Sequence, residues 1–77
     1  MKTNIDIDKI FTYHSPNQEQ KAFYENFRKA AKALAIMIDS FVPDCTEKNL
    51  AIEKLQECVM WGNAGVARFG IDHENIS

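Results

Sequence analysis

The longest stretch of helical periodicity, SPNQEQKAFYENFRKAAKALAIMIDSF from Ser15 to Phe41, leaves this chain few choices of fold. Phe23, Phe27, Ala30, Leu34, Ile38 and Phe41 recur every three or four residues, which stacks them into one apolar stripe on an α-helix. Ser15 offers an N-cap. Pro16 takes the first helical position, where a missing N–H costs nothing, and Gln18 completes a capping box. The expected helix covers about residues 16–41. Winding the same residues at about 100° each gathers Lys21, Arg28 and Lys32 on the opposite side. One side packs; the other presents cations.

The helix must stop near Val42-Pro43, because proline cannot continue it and restricts the residue before it. Asp44 or Thr46 can cap a second long helix over about residues 46–69. So short a link sets the two helices antiparallel and side by side. Ala51, Ile52, Leu55, Cys58, Val59, Gly62 and Val66 form the second helix's inward stripe, and Gly70 suits its end. Gly62 and Gly65 each cost about 1 kcal/mol against alanine, so a close approach is expected there. Met60, Trp61 and Ala64 point away from that stripe, with Arg68 one turn on. A two-helix hairpin cannot bury this second apolar surface against itself, and another copy of the chain is the expected cover.

Before the hairpin, Thr3 and Asp6 mark the start of a short helix over about residues 4–11, carrying Ile5, Ile7, Ile10 and Phe11. Such a piece is not stable alone. It either covers the end of its own hairpin or reaches a neighbouring subunit. The tail, residues 71–77, lacks periodicity and is expected to fray. The reading is one all-α domain over residues 1–77, an antiparallel helical hairpin of two long helices with a short N-terminal helix, assembled as a homo-oligomer.

Size explains why association is expected. A chain of 77 residues buries only about 60% of its unfolded surface, and one core of that size supplies few kcal/mol. Cys45 and Cys58 lie outside any CxxC spacing and far from His14 and His73, which argues against a disulfide scaffold and a zinc site. A net charge of −2 argues against a general DNA or RNA binder, so any phosphate site must be local. No apolar run reaches the roughly 18 residues of a membrane span, and MKTNIDID is no signal peptide. A cytoplasmic protein is the default.

Enzyme chemistry finds no footing. There is no nucleophile–histidine–acid arrangement, phosphate loop or helical HExxH, and Glu53 with Glu57 reads as a solvated face. No cofactor or metal is expected. What remains is FTYHSP, which places Tyr13 and His14 at a loop–helix junction where stacking, hydrogen bonding and anion binding converge. Tyr13 can equally be a staple packed on Tyr24 or Phe23. Lys21, Arg28 and Lys32 alternate with Glu19, Glu25 and Asp39, so the cationic side can also be salt-bridge decoration. Together, an aromatic, helix cations and Arg68 supply the stacking and phosphate pairing that nucleotides require.

FTYHSPNQEQ, FRKAAKALA and LAIEKLQECVMWGNAGVAR, spanning about residues 11–68, resemble the small phage hairpin proteins that act as anti-CBASS cyclic-oligonucleotide sponges. The hairpin domain is shared with some anti-Thoeris sponges. The resemblance implies a cytoplasmic homohexamer in the bacterial host that holds cyclic dinucleotides, such as cyclic GMP-AMP, and cyclic trinucleotides without cleaving them. It thereby starves an immune effector of its messenger. The resemblance also implies a dinucleotide pocket between subunits, with Tyr13 stacking on a base beside His14, and Arg28 or Lys32 pairing with phosphate. Arg68 matches the arginine of a separate trinucleotide pocket, while Phe11, Met60, Trp61 and Ala64 belong to the expected subunit interface. Gly62 and Gly65 depart from the commoner, bulkier small residues. Two other functions compete: an oligomeric adaptor binding another protein through Met60, Trp61 and Ala64, and a small phage DNA-binding regulator, which the acidic charge disfavours.

Overall fold

A computed structural model describes residues 6–13 and 15–73, and all regular structure among them is helical. A short α1 (Ile7–Phe11) precedes two 24-residue helices, α2 (Gln18–Phe41) and α3 (Thr46–Phe69), which pack against each other as a hairpin. No helix among the described residues is long and apolar enough to cross a membrane.

The caps differ from those expected. Asn17, not Ser15, opens α2: its side chain accepts from the Gln20 N–H at 2.8 Å, while Gln20 Oε1 accepts from the Asn17 N–H at 2.9 Å. Gln20 outcompetes Gln18 as the reciprocal partner because it faces α3, where its amide also donates to the Val66 carbonyl at 3.1 Å. One side chain thus closes the start of α2 and ties it to the end of α3. At the other end, neither Asp44 nor Thr46 caps α3. The Asp44 carboxylate is drawn 3.0 Å from the Lys48 ammonium, a charge-assisted contact, and the Cys45 thiol accepts from the Lys48 N–H at 3.4 Å instead. Lys48 also donates to the Asp39 carbonyl at 2.8 Å and meets the Asp39 carboxylate at 3.1 Å, so one ammonium holds both sides of the connection. Its hydrogen bonds to Asp44 and then Asp39 raise its pKa above the ordinary lysine value.

The contact between helices also runs differently from the expected stripe. Phe23, Phe27 and Ile38 face inward, but Ala31 and Ala35 complete the row, while Ala30, Leu34 and Phe41 are exposed. On α3, Ile52, Leu55, Val59, Gly62 and Val66 are half-buried, whereas Ala51 and Cys58 face solvent. Small residues on α2 let the helices lie close, and an alanine row satisfies that requirement better than Leu34. The densest packing is aromatic. Phe27 lies 5.0 Å from Phe23 between ring centroids, and Phe23 meets Tyr24 edge-on at 6.0 Å.

Gly62 is where the Phe27 ring settles: a Cβ there would come within 2.4 Å of Phe27 Cε2. Around Gly65, by contrast, the chain leaves open space. Gly62→Ala is expected to lower the thermal midpoint, because overpacking of about 1–3 kcal/mol outweighs the roughly 1 kcal/mol gained in helix propensity. Gly65→Ala, free of that clash, is the control in the same circular-dichroism melt.

No described residue is fully buried. The accessible surface is 6655 Å², against about 4,800 Å² for a compact folded chain of 8.8 kDa. One hairpin has an interface but, among the described residues, no core.

Candidate functional site

Two of the grooves among the described residues bear on the expected site. The first, about 640 Å³, runs between the α1 end and the C-terminal half of α3. The Thr12 hydroxyl donates to the Asp8 carbonyl as α1 ends, and the chain then leads through Tyr13 to Pro16 along one wall. Tyr24, from the first turns of α2, and Ala64, Ala67 and Arg68, from α3, form the rest. Tyr13 is 82% exposed, and the ring pairs among the described residues join Phe23 to Tyr24 and Phe27, not to Tyr13. It is therefore an available aromatic face rather than a staple. His14 lies outside the described residues, as do Thr3 and Ile5 of the expected short helix.

The second groove, about 420 Å³, sits midway along the hairpin. Ala31, Ala35, Ile52, Leu55 and Val59 make an apolar floor, with Arg28, Lys32 and Gln56 around it. An apolar floor edged by cations suits a flat ring bearing negative charge. Within one chain, then, the fold brings Tyr13 together with Arg68, and Arg28 together with Lys32, but leaves Tyr13 and the Arg28–Lys32 pair in different grooves. Tyr24 and Gln56 were not singled out as site residues from the sequence. Tyr24 adjoins Phe23 and reads as packing, while Gln56 has no charge or periodicity to mark it.

The ion pairs decide between the two readings of the cationic side. Each acid that alternates with it is engaged elsewhere: Glu25 with Lys29 at 3.3 Å, Asp39 with Lys48, and Glu19 with His73 at 2.7 Å. Among the described residues, Lys21, Arg28 and Lys32 form no ion pair. Salt-bridge decoration does not describe this face. Of the expected interface residues, Phe11, Met60 and Trp61 are exposed, with the Trp61 indole donating to Glu57 at 3.4 Å, whereas Ala64 lines the first groove. The described residues contain no cluster of three or more His, Cys, Asp or Glu suited to a metal.

The Glu19–His73 contact closes the end of the hairpin beside the first groove. Gly70, at a φ of 81°, turns the chain after α3, and His73 Nε2 reaches both Glu19 oxygens at 2.7 and 2.9 Å. The hydrogen bond to Glu19, then its charge and that of Asp72, raise the His73 pKa above the ordinary imidazole range. Its contribution to docking the tail is therefore complete below about pH 6.5 and disappears as pH rises through the higher folded-state value. An NMR titration should place the His73 ring midpoint above that of a free imidazole, and Glu19→Gln should return it. An unshifted midpoint would mean that the tail is undocked in solution.

A family model described as the Acb2/Tad1 hairpin domain matches residues 3–67. Comparison with curated proteins and with solved structures gives no match.

Proposed function

The chain belongs to the Acb2/Tad1 hairpin family of anti-CBASS and anti-Thoeris sponges, and from that premise we propose that it sequesters cyclic di- and trinucleotide second messengers without cleaving them. Holding the messenger keeps a bacterial CBASS effector inactive in the host cytoplasm. The observation that carries this reading is the pair Arg28 and Lys32, without an ion pair among the described residues and set above an apolar floor although carboxylates lie within a turn or two. Tyr13 supplies the stacking surface. Because it lies in a different groove from those cations, a dinucleotide pocket using both needs Tyr13 from one copy and the Arg28–Lys32 edge from another. Arg68 is the cation for the trinucleotide. A homohexamer, with contacts through Phe11, Met60, Trp61 and Ala64, would provide such junctions and shelter the surface that one hairpin leaves wet.

Sequestration requires affinity and no reaction, so the ligand should be recovered unchanged. Protein incubated with a mixed panel of cyclic di- and trinucleotides, washed and then heated should release intact cyclic nucleotide to mass spectrometry. Recovery of linear products, or of nothing, rejects the proposal. Arg28→Ala and Lys32→Ala should each weaken dinucleotide binding by about tenfold or more, the size of one charge-assisted hydrogen bond. The exposed Met60 and Trp61 favour a second reading, an adaptor that docks another protein there. That reading requires these residues to stay accessible in the purified particle.

A further inference from the structure

The second groove is walled differently on its two sides. α2 contributes Arg28, Ala31, Lys32 and Ala35, and α3 contributes Ile52, Leu55, Gln56 and Val59. Arg28 and Lys32, one helical turn apart, share an edge of α2. Opposite them, Gln56 is the polar side chain among those that α3 supplies. It is exposed, and its amide forms no hydrogen bond among the described residues. Glu53 and Glu57 stand near it in sequence, yet neither lines the groove. A carboxylate on this wall would draw the two cations to itself, whereas a neutral amide leaves their charge for a ligand.

We propose that Gln56 reads the edge of a nucleobase in this groove and makes adenine the preferred base there. On the sponge reading, from which this follows, Gln56 decides which messengers the site favours. Phosphate held by Arg28 and Lys32 along α2 leaves the attached base on the apolar floor, with its edge toward α3. An edge brought to that wall loses water and needs a polar partner, and Gln56 is the residue of α3 placed to be one. A glutamine amide sets an N–H donor beside a carbonyl acceptor. Adenine's exocyclic amino group donates to that carbonyl while its N7 accepts from the N–H, so both bonds form together. Guanine lying the same way presents O6 and N7, two acceptors. The amide carbonyl then faces an oxygen with which it cannot pair.

The test measures, by calorimetry on the full-length chain, the affinities for cyclic di-AMP, cyclic di-GMP and a cyclic di-AMP built with 7-deazaadenine. The parent should bind cyclic di-AMP about tenfold or more tighter than the other two, the discrimination of one bidentate base contact. Gln56→Met keeps the length of the side chain and removes both polar groups. It should abolish the preference by weakening cyclic di-AMP rather than by strengthening cyclic di-GMP, with the helical signal unchanged. A Gln56→Met protein that keeps the parent's preference overturns the role of Gln56. A parent that holds the 7-deaza ligand or cyclic di-GMP as tightly as cyclic di-AMP overturns the pairing through N7, and this arm decides even where the variant fails to fold. In these cases the dinucleotide site itself stands. A parent that binds none of the three ligands rejects that site, and the role of Gln56 with it.

Discussion

Phe27→Ala is expected to lower the thermal midpoint by about 10–20 °C, corresponding to about 2–3 kcal/mol in a domain of this size. Phe27 joins the aromatic cluster of α2 to the backbone of α3. It stacks on Phe23 at 5.0 Å and fills the place that Gly62 keeps empty. Removing the ring leaves a hole with no side chain opposite to collapse into it. The estimate stays below the usual cost of a fully buried phenylalanine because Phe27 is only half-buried. Even so, it approaches the whole stability that a chain so small can hold. The diagnostic comparison is a double-mutant cycle with Gly62→Ala. The added methyl should be harmful beside phenylalanine and much less so beside alanine, giving a coupling energy of about 1 kcal/mol or more. A midpoint unmoved by Phe27→Ala, or strictly additive losses, would show that the helices are held together elsewhere.

Tyr13→Ala is expected to weaken cyclic dinucleotide binding by about tenfold to a hundredfold, the range of about 1–3 kcal/mol for stacking one base on an aromatic ring. The effect should appear in calorimetric titration with the helical signal unchanged, because an exposed ring contributes little to folding. Arg68→Ala should show the opposite preference, costing the trinucleotide about tenfold or more and the dinucleotide less. The comparison is demanding, because Tyr13 and Arg68 line the same groove of one chain. On the proposed assembly, selectivity would come from what other copies add to each of them. Equal losses for both ligands in both variants would mean one shared pocket instead of two.

The hairpin was legible because it depends on periodicity and on proline, both of which are local. Pro43 and the repeat of apolar residues are enough to place two long helices side by side. Two of the differences originate in contacts between residues distant along the chain. Asn17 takes the cap because Gln20 also reaches Val66, 46 residues away. Glu19 leaves the cationic side because His73, 54 residues away, holds both of its oxygens. Glu25 does pair within a turn, but with Lys29 rather than with Lys21, Arg28 or Lys32, a choice that spacing alone does not make. The apolar stripe of α2 was misdrawn for a different reason. Ala30, Leu34 and Phe41 fit a helical repeat as well as Ala31 and Ala35 do, and periodicity alone does not say which row meets α3. Tyr13 and Arg68 stand on one groove although 55 residues separate them, which no spacing rule encodes.

That none of the described residues is buried bears on dosage. Where copies supply one another's interior, the folded fraction depends on protein concentration as well as on temperature. On the proposed assembly, sparse chains would stay open and vulnerable to proteases, while abundant chains would lock into durable particles. Capacity would then climb as a power of expression rather than in proportion to it, so that a burst of synthesis accomplishes what a slow trickle of the same total cannot.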